Sequence, residues 1–176
     1  MLNYKIFICH LFLSKVLKIH QYSYYFSHYP QVGGWAFWKR AWEKVDLDMK
    51  NYPSLKKSKE FKKIYPGFLE RKYMGHLLDG AYKKESGPDT QWLYSVIVNK
   101  GICILPNKNL LKREGFGGEA EHTKEEDSYL SLPTKRINFP LKHPAKIKRN
   151  RKKDEQYIRW LLSHKIKKYF FKLFKK

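Results

Sequence analysis

Cysteine, arginine and acid are all scarce in this chain of 176 residues. Two cysteines, Cys9 and Cys103, cannot build a disulfide scaffold or a Cys-rich zinc site, which fits a reducing compartment. No uncharged apolar run approaches the roughly 20 residues of a membrane-spanning helix. Residues 1–19 lack the uninterrupted apolar stretch and small-residue cleavage site of a secretory signal, so export is not expected. Gly-x-Gly-x-x-Gly, a Walker-type Lys-Ser/Thr loop, Gly-x-Ser-x-Gly and His-Glu-x-x-His are all missing, which removes the commonest nucleotide, serine-hydrolase and zinc-protease signatures. His10, His20, His28, His76 and His164 have no partner spacing.

What is present in quantity is aromatic residue and lysine. An apolar fraction of 42% and an aromatic fraction of 16% exceed what a wholly disordered chain carries, and the length suits one domain. The 37 Lys and Arg against 16 Asp and Glu give a net charge of +21. Residues 141–176 hold fourteen of those cations against Asp154 and Glu155, and so supply +12. Such a field is a footprint for phosphate, in nucleic acid or on an anionic membrane; a solvated Lys-rich surface is the bland alternative. Only seven of the cations are Arg. Base-edge readout leans on the bidentate guanidinium, so nucleic acid is the less favoured partner.

Ile158, Leu162, Ile166, Tyr169, Phe170 and Leu173 recur at helical spacing with lysines around them. A basic amphipathic helix over residues 155–176 is the expectation, suited either to an anionic membrane surface or to packing on the domain. Upstream, residues 22–29 read as a strand ending at Pro30. Residues 35–44 read as a helix, with Phe37, Trp38, Ala41, Trp42 and Val45 inward. Residues 46–60 read as loop and short helix with Pro53 as a breaker, and 60–84 as helix interrupted at Pro66-Gly67. The clearest helix is 89–100, with Asp89 as N-cap or first-turn acid and Gly101 as C-cap. A short buried strand, 102–105, ends at Pro106. Pro133, Pro140 and Pro144 suggest an extended strap over residues 131–147. No internal repeat is visible.

Three constellations can carry chemistry. Gly33, Gly34, Trp35 and Trp38, followed by Lys39 and Arg40, suit a sugar-and-phosphate site; aromatic core packing after a turn is the commoner reason for such a run. Asp89, with Thr90, Gln91 and Trp92 behind it, can act as a general base at a helix start; a plain helix-start acid is the commoner use. Glu119, Glu121 and His122 follow the Gly-rich stretch at 115–118 and offer oxygen and nitrogen ligands to a divalent metal or a diphosphate; an acidic loop without a ligand is the alternative.

Taken in order, these segments resemble a known family. Tyr24-Tyr25-Phe26-Ser27-His28-Tyr29-Pro30, Gly34-Trp35-Ala36-Phe37-Trp38-Lys39-Arg40-Ala41-Trp42 and Asp46-Leu47-Asp48-Met49-Lys50 are similar to bacterial nucleotide-sugar glycosyltransferases of family 2, the GT-A-fold, haemolytic-protein-like group. Asp89-Thr90-Gln91-Trp92-Leu93-Tyr94, Asn99-Lys100-Gly101, Leu105-Pro106-Asn107-Lys108-Asn109-Leu110, Gly115-Phe116-Gly117 with His122-Thr123, and the strap from Leu132 to Pro144 keep that group's order. The resemblance runs from about Tyr22 to Pro144. It departs where the group has Trp-Gly-Trp-Ala-Thr-Trp, since Gly33 and Phe37 stand in this chain, and where Gly118 replaces an acid.

The resemblance implies an α/β fold: the acceptor-side part of a GT-A enzyme over residues 22–147, after an unmatched leader (1–21) and before a basic C-terminal helix (148–176). It implies that Asp89 takes the acceptor proton, that Gly34, Trp35, Trp38, Gln91 and Trp92 shape the sugar and acceptor pockets across one cleft, and that Lys39 and Arg40 face the diphosphate. A nucleotide-sugar donor, a glycan or lipid-linked acceptor and a divalent metal (Mg or Mn) belong to the complete enzyme, with Glu119 and His122 as late metal contacts. The nucleotide-binding half is not recognisable, so the implied chain is inactive or nearly so alone. A cytoplasmic place, apposed to the inner face of the membrane through residues 155–176, completes the expectation. The alternative is a non-catalytic basic module for anionic membrane or nucleic acid.

Overall fold

A computed structural model describes residues 6–10, 21–31, 34–112 and 133–173 of the chain; at 6–10 and 167–173 it is the backbone that is described. The chain divides into two compact units, Met1–Glu43 with Lys100–Arg151, and Lys44–Asn99 with Lys152–Lys176. Their limits cut across the sequence boundaries expected at 21/22 and 147/148.

The first unit is built on a four-stranded mixed sheet. Its strands are β1 (Ile6–His10), β2 (Tyr24–Ser27), β3 (Trp35–Phe37) and β4 (Ile102–Pro106), in the order β2-β4-β1-β3. β4 runs antiparallel to β2 and parallel to β1, and β1 runs antiparallel to β3. The unmatched leader therefore supplies an inner strand, which the sequence reading had not assigned. Ile6-Phe7-Ile8-Cys9 is a continuous apolar run, and inner strands carry no alternation to mark them. Both faces of this sheet are buried: Tyr25 and its partner Leu105 lie on one, Phe26 and Ile102 on the other.

A helix over 35–44 is corrected. Trp35–Phe37 pairs with β1, and only α1 (Lys39–Trp42) is helical. Aromatic residues suit a pleated surface as well as a helix, and the partner strand decides.

Residues 133–147 of the expected strap carry no helix or strand, and Lys135 N–H donates to Asn109 O at 2.8 Å. Ser23 N–H donates to Lys142 O at 2.8 Å, and Asn150 N–H to Phe26 O at 2.8 Å. Phe26 also bridges in parallel to Arg149, so residues 142–150 cover the outer side of β2. Asn107 Nδ2 donates to Tyr22 O and Asn109 Nδ2 to Leu111 O, both at 2.8 Å, so the amides of Asn107 and Asn109 hold backbone in place after β4.

The second unit is helical: α2 (Tyr52–Lys57), α3 (Lys59–Ile64), α4 (Phe68–Tyr82), α5 (Pro88–Val98) and α6 (Arg151–Leu173, which enters it at Lys152). Pro53 sits in the first turn of α2 rather than breaking it, where its missing N–H costs nothing. α3 and α4 part at Pro66-Gly67 as expected. Gly101 is not the C-cap of α5: Asn99 caps it and Lys100 takes the left-handed turn, with φ +53. Met49, Tyr52, Tyr65, Met74, Leu78, Tyr94 and Val96 are the largest fully buried apolar side chains of this unit. In α6, Ile158 is buried and Ile166 is exposed. Among the described residues no helix is long and apolar enough to cross a membrane.

Candidate functional site

The first unit exposes an unusual density of aromatic surface. Strand alternation places Trp35 and Phe37 on one face of β3, with ring centroids 5.2 Å apart. Trp38 precedes α1 as its N-cap, and one helical turn brings Trp42 back over it, with Trp42 N–H donating to Trp38 O at 3.1 Å. Phe37 and Trp42 then stack at 4.9 Å with planes 20° apart. The Arg40 guanidinium lies 5.1 Å from the centre of the Trp38 ring, and Lys39 beside it is exposed. Phe37, Trp38 and Trp42 are 41%, 38% and 46% exposed. Aromatics of this size ordinarily bury most of their area, so three together beside two cations form a candidate binding surface. Flat apolar faces suit the C–H side of a pyranose, and the cations suit phosphate.

Gly34 enters this surface as a backbone device. Its φ is +57, and a Cβ on it would lie 2.9 Å from Leu111 Cδ2. The glycine lets the chain turn into β3 against Leu111.

Asp89 belongs to the second unit, in the first turn of α5, and is exposed. Gly87 is the cap and Pro88 the first helical residue, so Asp89 is the first-turn acid rather than the cap. Its neighbours do not share its exposure. Gln91 and Trp92 are 4% and 2% exposed, and their side chains serve the core of this unit. Gln91 Nε2 donates to Ala81 O at 3.1 Å, while its Oε1 is buried with no partner among the described residues. Pocket-lining by Gln91 and Trp92, expected from sequence, gives way to packing, because positions four and five past the cap turn inward on this helix. Trp35 and Trp38 belong to the first unit.

Glu119 and His122, and the Gly-rich stretch before them, lie outside the described residues. Among the described residues no group of three His, Cys, Asp or Glu side chains could hold a metal ion.

Two features escaped the sequence reading. Phe37, Trp38 and Trp42, expected inward, are exposed; the step of two from Trp35 to Phe37 and of four from Trp38 to Trp42 is the signal in the sequence. The other is the pair of contacts at the two ends of β2. Tyr24 Oη and His143 Nδ1 lie 3.0 Å apart, and the Arg149 guanidinium lies 6.0 Å from the Tyr29 ring centre. Burial, then the Arg149 charge, pushes His28 down to about 4. No spacing in the sequence joins residues 28 and 149.

No family model, curated protein or solved structure matches this chain. The class that fold and surface define is thus a two-unit α/β chain with an aromatic-cationic face on one unit and an exposed acid at a helix start on the other.

Proposed function

We propose that this chain is the acceptor-side part of an inverting nucleotide-sugar glycosyltransferase of the family 2, GT-A kind, acting in surface glycan synthesis. The ordered motifs from Tyr24 to Pro144 support it, and one structural observation carries it: Phe37, Trp38 and Trp42 stand exposed with Arg40 against the Trp38 ring. Those faces stack on sugar rings, and Lys39 and Arg40 offset phosphate charge. Asp89, exposed on the first turn of α5, takes the proton of the acceptor hydroxyl. The hydroxyl oxygen bonds to the anomeric carbon from the far side as the bond to the nucleoside diphosphate breaks, inverting the centre. A general base in that role contributes about 10²–10⁴-fold.

Titration with oligosaccharide acceptors, followed by tryptophan fluorescence, tests the reading. A saturable change is expected, lost in the double variant Trp38→Ala/Trp42→Ala and kept in Asp89→Asn. A chain that binds no saccharide, or binds as well without those two indoles, refutes it.

A further inference from the structure

The start of α4 presents a second exposed surface that sugar transfer does not use. Phe68 and Leu69 are the first two residues of this helix, and they are 63% and 56% exposed. Two adjacent large apolar side chains so far into water are unusual on a helix whose Met74, Leu78 and Ala81 are buried. The surrounding charge is one-sided: residues 56–72 hold seven Lys and Arg against Glu60 and Glu70. Lys62 and Lys63 are exposed in the last turn of α3, and the Lys72 ammonium lies 5.1 Å from the Phe68 ring centre.

The corner is held rigid. Tyr65 is fully buried, and its ring meets Phe61 edge-on at 5.1 Å. Arg71 Nη1 donates to Tyr65 O at 2.8 Å and to Pro66 O at 3.1 Å. Gly67 N–H donates to Glu70 Oε2 at 3.2 Å, and Arg71 N–H to Gly67 O at 2.8 Å. Both acids are engaged locally, Glu70 in this cap and Glu60 with Lys63 at 3.7 Å. These bonds fix the backbone that holds Phe68 and Leu69 outward, so little ordering remains to be done on binding.

We propose that the α3–α4 corner docks on an anionic lipid bilayer, with Phe68 and Leu69 entering the headgroup–acyl boundary and Lys62, Lys63 and Lys72 facing lipid phosphates. The charges favour this occupant. The exposed cations of this corner are lysines, strongly hydrated point charges that suit a diffuse negative surface, while the one Arg is spent on backbone carbonyls. A nucleic-acid site would ask for bidentate or stacking arginine. An apolar tip ringed by lysine gains from acyl chains and headgroups together. This goes beyond the proposed sugar transfer and does not depend on it, since the saccharide titration contains no lipid.

Co-sedimentation of the full chain with vesicles tests the proposal, using phosphatidylcholine alone and phosphatidylcholine with phosphatidylglycerol. Binding is expected on the anionic vesicles only, falling as salt rises. Phe68→Ser/Leu69→Ser is expected to lower the partition coefficient on the order of tenfold, as partial burial of two apolar side chains implies. Each of Lys62→Gln, Lys63→Gln and Lys72→Gln is expected to lower it about fivefold at low salt. All these sites are exposed, so circular dichroism should show unchanged helix. Ile166→Ser in α6 is the contrasting variant and should leave most of the binding. Equal binding to neutral vesicles, indifference to the Phe68/Leu69 change, loss through Ile166→Ser instead, or binding to an oligonucleotide but not to anionic vesicles would each overturn it.

Discussion

Gly34 and Leu111 separate two effects that act at a single residue. Replacing Gly34 by Ala asks an L-residue to hold φ +57 and puts a Cβ 2.9 Å from Leu111 Cδ2. The leucine methyl is the far end of a flexible side chain and can yield, whereas the backbone angle cannot. The conformational cost, about 1–2 kcal/mol, should therefore dominate. Urea denaturation of Gly34→Ala should show a lowered midpoint with an unchanged slope. Gly34→Ala/Leu111→Ala should recover none of the backbone cost, because room alone does not change φ. Tyr52 is the polar counterpart. Its hydroxyl donates to Gly75 O at 3.1 Å and to Asp79 Oδ1 at 2.8 Å, and burial, with Asp79 beside it, raises its pKa. Tyr52→Phe should cost about 1 kcal/mol, the net worth of a buried hydrogen bond, measured by the same denaturation.

Between elements, Ser58 joins two helices. Its hydroxyl donates to Leu55 O at 2.7 Å at the end of α2 and accepts from Phe61 N–H at 3.3 Å at the start of α3. Ser58→Ala should lower stability by about 1 kcal/mol, typical for a lost N-cap, and Ser58→Asp should retain most of it through the cap it can still offer. Thermal unfolding by circular dichroism measures both. The same helices show what was legible beforehand. Pro66-Gly67 and Pro88 mark helix starts by chemistry that needs no neighbour, and so α3, α4 and α5 are visible in the residues themselves. β1 is not, because an inner strand has no solvent side to print an alternation. Trp35, Phe37, Trp38 and Trp42 satisfy spacings of two, three and four at once, and only pairing with β1 resolves them into strand and then helix. For the candidate site, the Trp38-Lys39-Arg40 run and the Asp89 helix start were readable, but the burial of Gln91 and Trp92 followed from which side of α5 meets its neighbours.

At the scale of the whole molecule, the pH dependence of stability has a sign that several groups share. His28 is held down to about 4 by burial and by the Arg149 charge, so between about 4 and its ordinary 6.5 the unfolded chain binds more protons than the folded one. Stability must then rise with pH across that window and be lost on acidification. Asp79 adds to the loss at lower pH. Burial raises its pKa, but the hydrogen bonds from Lys56 and Tyr52 and the Lys56 and Lys83 charges outweigh this and leave it below the ordinary carboxylate range. Lys153, 7% exposed, is brought down by burial to about 8. From there to its ordinary 10.5 the unfolded chain again binds the extra proton, and stability rises further with pH. The +21 charge acts in the same direction, since titrating lysines toward the pI near 9.9 relieves self-repulsion. Above about 10 the sign reverses, because Tyr52 and Tyr94, both raised chiefly by burial, stay neutral in the fold while unfolded tyrosine ionises. Maximum stability is therefore expected on the alkaline side, between about pH 8 and 10, where many domains peak between about 5 and 8. Urea midpoints measured across pH should trace that curve at fixed ionic strength. His28→Gln should flatten its acid limb between about 4 and 6.5, and Lys153→Met should flatten the rise above about 8. A maximum below neutrality, or limbs unmoved by both substitutions, would mean that the environments described for His28 and Lys153 do not govern the fold in solution.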